Sequence, residues 1–307
     1  MENEIKSDSS KVHISLYAGE GNCCGVKRPG FINIAAFYGY ESLAFPPSSR
    51  PDRVPYTSLT IGVRPAENYV PKNIDLLEDG FTKFRSAWVE NPIGQHFHAT
   101  FMRLPFPPYI NKIVCINLGN FVLPDKDDVT IAAQHALFRH AAVITAAEAL
   151  FTRFGRQIQI LAQDTNYSPD CAATLFRSGF SIVGRHGTEG LAEIDDKTFV
   201  FAPGSPFCVK EVVADIAEPA GMFWETVLSP EESERVNMLQ SPVNVGSHIE
   251  AYLRPFRSNS DTPRVRILTN KYDVHPFPGT NLFGSVSIYT RKGMSIAYTR
   301  PKATISS

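Results

Sequence analysis

The chain has 307 residues, 43% hydrophobic and 20% charged, with 30 basic against 31 acidic side chains and a formal net charge of −1. Such composition marks a folded globular chain of one large domain or two small ones, and near-neutrality excludes a global field that recruits nucleic acid or an anionic membrane. No run approaches the roughly 18 apolar residues of a membrane span, and the polar start Met1–Val12 lacks the apolar core of a secretion signal.

Residues 1–70 are rich in Pro and Gly, with β-like runs at Val12–Tyr17, Phe31–Phe37 and Tyr56–Val63 and a Pro/Ser loop at Phe45–Arg53. They read as an extension, a small β layer or a lid. A helix is expected from about Asp75, because Leu77, Phe81, Phe84 and Trp88 line one helical face. Pro92 ends or kinks it, and a second helical piece carries Gln95–Met102.

After Pro105, Pro107 and Pro108 comes the first central strand, Lys112–Leu118, ending in Gly119-Asn120-Phe121. Asp127 and Asp128 lead into a long helix with Val129, Ala133, Ala136, Leu137, Ile144, Ala147 and Phe151 at helical spacing. The next apolar strand, Ile158–Ala162, runs directly into Gln163-Asp164. Ser168 then reads as an N-cap and Pro169 as the first helical residue, since proline has no N–H to leave unpaired. That helix carries Ala172, Leu175 and Phe176 inward, and Gly179 stops it.

A short strand, Phe180–Val183, and another, Thr198–Ala202, precede a second Ser-Pro pair, Ser205-Pro206. This reads as a second capped helix start, whose helix carries Val209, Val212, Val213 and Ile216 and is closed by Pro219. Met222–Leu228 is the next strand, and the tail holds strands at Arg264–Leu268, Ser285–Tyr289 and Ser295–Tyr298. Strands alternating with helices of this length require parallel pairing. The expected fold is therefore α/β, a doubly wound, mainly parallel sheet with flanking helices and β-rich ends.

In such sheets ligands bind outside the carboxyl ends of the strands, and an acid after the second strand commonly takes ribose hydroxyls. Asp164 occupies that position; a turn or capping role is the open alternative. A dinucleotide loop needs G-x-G-x-x-G for close approach to pyrophosphate, and only Gly119 is present, so NAD and FAD are not expected. S-adenosylmethionine tolerates fewer glycines and stays an alternative; otherwise no cofactor is expected.

His135 and His140 lie five residues apart on one helix, hence on different faces, which disfavours a shared metal. His135, nearer the helix start, is the better acid/base candidate, and a structural histidine is the competing reading. Tyr167 is either a proton donor beside Asp164 or a packed ring, and Ser205 is more simply an N-cap than a nucleophile. The five cysteines, Cys23, Cys24, Cys115, Cys171 and Cys208, are odd in number and irregularly spaced. They suggest neither a disulfide framework nor a metal knuckle, and a reducing cytoplasm is the simplest home.

Several of these stretches form a set: Leu118-Gly119-Asn120-Phe121, Gln134-His135, Gln163-Asp164 with Tyr167, Leu175-Phe176 with Gly179-Phe180, and Thr198–Pro206. Together they resemble the Sensitivity to Red Light Reduced (SRR-like) domain family, of fungal type, over roughly Asp75–Leu228 within a domain of residues 71–307. The resemblance implies Rossmann-like topology and links to light and clock signalling in plants, haem and clock regulation in animals, and cytoskeletal phenotypes in yeast. Fungal relatives include ones that sit among enzymes of specialised metabolism, and no single chemistry comes with the resemblance. Two departures stand out: Thr165 where the family commonly has Pro, and Gly204-Ser205 where His-Cys or similar is common, which weakens the basis for shared His/Cys chemistry.

The expected site comprises catalytic Asp164, Tyr167 and His135 with ligand-binding Gly119, Asn120, Gln163, Gly204 and Ser205, and no metal. The expected function is binding a small molecule, as a cofactor-independent enzyme performing elimination, isomerisation or cyclisation by acid/base chemistry. A non-catalytic sensing domain and an S-adenosylmethionine-dependent transferase are the alternatives. A small molecule is the expected partner, without nucleic acid or membrane; substrate and oligomeric state are not legible.

Overall fold

A computed structural model describes residues 20–23, 26–37, 59–65, 73–121, 130–184, 188–205, 208–233, 235, 261–278 and 281–293. The expected strands at Val12–Tyr17 and Ser295–Tyr298, the loop at Phe45–Arg53, and Asp127, Asp128 and Val129 lie outside the described residues. Near the amino end, β1 (Glu20–Cys23), β2 (Val26–Phe37) and β3 (Leu59–Pro65) pair in order as an antiparallel sheet. The expected runs Phe31–Phe37 and Tyr56–Val63 overlap β2 and β3.

α1 (Ile74–Glu90) starts at Asn73, whose side chain accepts the Asp75 N–H, and buries Leu77, Phe81 and Trp88. Asn91 both ends α1 and caps α2 (Pro92–Arg103), so the turn between them is a single residue. Gly94 makes that turn feasible: a Cβ there would lie 1.9 Å from the Trp88 carbonyl oxygen.

The central sheet has seven strands in the order β6 (Phe180–Ile182), β5 (Gln159–Gln163), β4 (Lys112–Ile116), β7 (Thr198–Phe201), β8 (Gly221–Glu225), β10 (Val286–Arg291), β9 (Tyr272–Pro276). The first five are parallel, with Ile113 of β4 level with Ile160 and Phe199. β10 runs antiparallel to both β8 and β9. The chain is thus a Rossmann-like α/β protein with a mostly parallel sheet. Alternation sorts the core: Ile113, Cys115, Phe199 and Phe201 join the aromatic cluster under α1, α2 and α3 (Ile131–Phe154). Val114, Ile116, Val200 and Trp224 face the cluster with α6 (Val209–Ile216) and α7 (Pro263–Thr269). The remaining helices are α4 (Pro169–Arg177) and the short α5 (Glu189–Ala192).

Four expectations are corrected. Arg264–Leu268 is not a strand but most of α7: Val265 and Leu268 are buried three apart, whereas Ile267 is 62% exposed. The apparent alternation of Val265 and Ile267 had mimicked period two. Phe176 is 72% exposed, because α4 turns Cys171, Thr174 and Leu175 inward and the next residue is rotated about 100° away. Phe151 is likewise 54% exposed, with Leu150 taking the inward position. Ser205 does not cap a helix: α6 starts at Val209 with Cys208 at the N-cap and no side-chain capping bond. Ser168 does cap α4, accepting the Cys171 N–H at 3.2 Å. Among the described residues no helix is long and apolar enough to cross a membrane.

Candidate functional site

The direction of winding reverses between β4 and β7, so the loops leaving their carboxyl ends, Asn117–Phe121 and Ala202–Ser205, flank a topological switch point, where open α/β sheets place their ligand crevice. Two residues of the first loop have left-handed backbone, Asn117 (φ 59°) and Gly119 (φ 97°). Asn is among the side chains that tolerate this region. Gly119 also lies against α3, where a Cβ would stand 3.1 Å from that of Ala136.

Asp164 ties this loop to the end of β5. Its Oδ2 accepts the Gly119 N–H at 2.8 Å and its Oδ1 the Asn166 N–H at 2.8 Å. The carboxyl is 3% exposed. Burial raises its pKa, while these backbone bonds and the nearby Arg139 pull it back. Asn120 extends the lacing, accepting the Ser168 N–H at 3.1 Å. Gln163 faces the other way: its amide donates to the Gly184 carbonyl at 2.7 Å and accepts the Gly190 N–H at 2.9 Å. Asparagine at 164 would present one acceptor to two N–H donors. We therefore expect Asp164→Asn to destabilise by about 1–3 kcal/mol in urea titration.

On the β7 side the Gly204 and Ser205 N–H groups bond Glu225, the last residue of β8, whose pKa is raised by burial. The two strand-end acids thus play matching parts, each accepting backbone N–H from the loop of the neighbouring strand, Gly119 for Asp164 and Gly204 and Ser205 for Glu225. Between them Arg139 projects from α3, donating from Nε and Nη2 to the Leu282 carbonyl at 3.3 and 3.2 Å. Gly204 (φ 71°) faces it, and a Cβ there would lie 3.2 Å from Nη2. His135, one helical turn before Arg139, is half-buried; burial and then the Arg139 charge lower its pKa.

A family model of the SRR1 domain matches residues 98–290, from within α2 into β10. The chain belongs to the SRR1 domain family. No curated protein and no solved structure matches it. The match begins after α1 and takes in the tail beyond Ser241, so α7, β9 and β10 belong to the SRR1 domain and are not additions to it.

Within this SRR1 domain the expected site residues separate into layers. Gly119, Asn120 and His135 are part-exposed and Gly204 is exposed, whereas Gln163, Asp164, Tyr167 and Ser205 are buried. Tyr167 pairs not with His135 but with His140, whose Nε2 lies 2.8 Å from the phenol oxygen. The other ring nitrogen of His140 is 2.6 Å from the Ala136 carbonyl. A carbonyl only accepts, so Nδ1 carries the proton and the phenol donates to Nε2. Arg139 and Glu225 were missed, and His140 was weighed only as a metal partner of His135. Arg139 follows His135 by four, which puts both on one helical face, and Glu225 ends its strand much as Asp164 follows β5. Cys115, Cys171 and Cys208 are buried free thiols, and among the described residues no three His, Cys, Asp or Glu group to hold a metal ion.

Burial pushes the pKa of His140 down to about 4 from 6.5. The folded value is depressed, so the stability it contributes is complete above about pH 6.5 and is lost as pH falls towards 4. The full effect is about 3 kcal/mol. Asp164 and Glu225, with raised values, act in the opposite sense. The difference between wild type and His140→Gln in urea stability isolates the histidine. It should shrink across that window, and a pH-independent difference would contradict the assignment.

Proposed function

We propose that this SRR1 domain binds a small polar metabolite in the crevice between the loops after β4 and β7, and that His135 transfers a proton on it. The observation that carries this reading is the layering of the site. His135 is part-exposed one turn before Arg139, which Gly204 faces, while Asp164 and Tyr167 are buried and hydrogen-bonded. A lowered pKa keeps the imidazole neutral near pH 7, the form that accepts a proton. Asp164 and Tyr167 then position: the first fixes the Gly119 loop, the second holds His140 in α3. The chemistry is a cofactor-independent elimination, isomerisation or cyclisation in specialised metabolism.

The test incubates the purified chain with a metabolite extract of cells that carry its gene and follows mass spectra. Wild type should deplete a feature and form one of equal mass or one lighter by a small leaving group. His135→Gln should abolish the change and Tyr167→Phe should retain it. Activity unaffected by His135→Gln removes the proton-transfer role. Saturable binding of an extract component without conversion points instead to a sensing domain.

A second reading rests on Asp164 at the end of β5, because an acid in that position commonly takes ribose hydroxyls, as an S-adenosylmethionine-dependent transferase would require. Under this reading S-adenosylmethionine raises the melting temperature of wild type and not of Asp164→Ala. No shift in wild type dismisses it.

A further inference from the structure

We infer that Arg139 is the anion receptor of the crevice, and that the ligand presents an oxyanion, a carboxylate or a phosphate, to the Nη edge of its guanidinium. The inference rests on the proposed ligand crevice and names the class of ligand.

Three observations carry it. First, the guanidinium is fixed from one side only: Nε and Nη2 both donate to the single carbonyl of Leu282. The Nη1 amino group and the second Nη2 hydrogen have no hydrogen-bond partner among the described residues. Neither nitrogen is a buried atom without a partner, so a half-buried guanidinium already held in place offers its unengaged N–H groups to an acceptor arriving from solvent. Second, the neighbouring acids are already occupied. Asp164 accepts from Gly119 and Asn166, and Glu225 from Gly204 and Ser205. Neither makes an ion pair with Arg139 within 4.0 Å among the described residues, so both balance its charge at range without filling its fork. Third, Gly204 is exposed and lacks the side chain whose Cβ would start 3.2 Å from Nη2, so that position does not cover the guanidinium.

A planar fork suits an oxyanion better than a point charge does, because two parallel N–H groups meet two oxygens. His135, one turn away on the same face, then stands over the part of the ligand adjoining that anion.

The experiment is a titration of the isotopically labelled full chain, followed by amide and Arg Nε resonances. The probes are malate, inorganic pyrophosphate, glycerol, and a set of neutral polar fragments. One anion or both should shift Gly119, Gly204 and the Arg139 Nε signal, the responding probe distinguishing carboxylate from phosphate, and glycerol should not. Arg139→Lys, which keeps the charge and loses the fork, should weaken that anion by at least about tenfold. Arg139→Gln, near-isosteric at the Leu282 contact, should abolish it; spectra of both variants report folding directly. Anion affinity unchanged in folded Arg139→Lys and Arg139→Gln overturns the assignment. Shifts at Gly119 and Gly204 from neutral fragments alone also overturn it, while the crevice reading stands. No response to any probe removes both.

Discussion

Replacing Lys210 by Met is expected to lower the unfolding free energy by about 3–5 kcal/mol, the usual cost of stranding one member of a buried ion pair. Lys210 is 2% exposed and Asp261 9%. The ammonium contacts Asp261 Oδ1 directly, and Oδ2 of the same carboxylate accepts the Leu228 N–H at 3.0 Å. Glu225 also draws on the Lys210 charge. Without the ammonium, two carboxylates remain in a poorly hydrated place with backbone donors alone. The pair links the first turn of α6 to the residue that precedes the start of α7, 51 positions on. Urea titration checks the figure, with an unchanged slope showing that the unfolded state is not altered. Lys210→Met combined with Asp261→Asn removes the directly paired of the two stranded charges and should recover at least half the loss. A loss below about 1 kcal/mol for the single variant would show the pair to be dispensable.

Phe97→Ala is expected to cost about 3–5 kcal/mol, as for other large aromatic truncations in a core that cannot collapse. Phe97 is fully buried and sits within aromatic range of Trp88 (5.9 Å), Phe101 (4.6 Å), Phe223 (5.6 Å) and Phe277 (5.6 Å) between ring centroids. It therefore joins α1, α2, β8 and the segment after β9 at one point. A cavity there removes dispersion contacts on every side at once. Phe176→Ala, by contrast, truncates a ring that is 72% exposed and should stay within about 0.5 kcal/mol of wild type. Equal losses for the two variants would contradict the packing described above.

The central strands were legible because strands buried on both faces write continuous apolar runs, as Ile113–Ile116 and Phe199–Phe201 do. β9 was not, because only Tyr272 at its start is fully buried and an edge strand needs no such run. α7 was mistaken for a strand because a helix of seven residues shows too few turns to reveal its period. At the site, the position of Asp164 at a strand end could be read locally. Its partner Gly119 lies 45 residues away, and Leu282 lies 143 residues from Arg139, so those bonds exist only once the sheet has assembled. The Ser-Pro pairs show the same limit. Ser168 caps a helix, but the identical dipeptide at Ser205 does not: the helix that follows starts only at Val209, and the Ser205 N–H bonds Glu225 of the adjacent strand.

The central claim is that the crevice between the β4 and β7 loops is where this SRR1 domain meets its ligand, and crystals soaked with small polar fragments test it most directly. The account predicts fragment density bounded by Asn120, His135, Arg139 and Gly204, with Asp164 still bonded to the Gly119 and Asn166 N–H groups. Fragments gathering reproducibly at another surface while this crevice stays empty would contradict it.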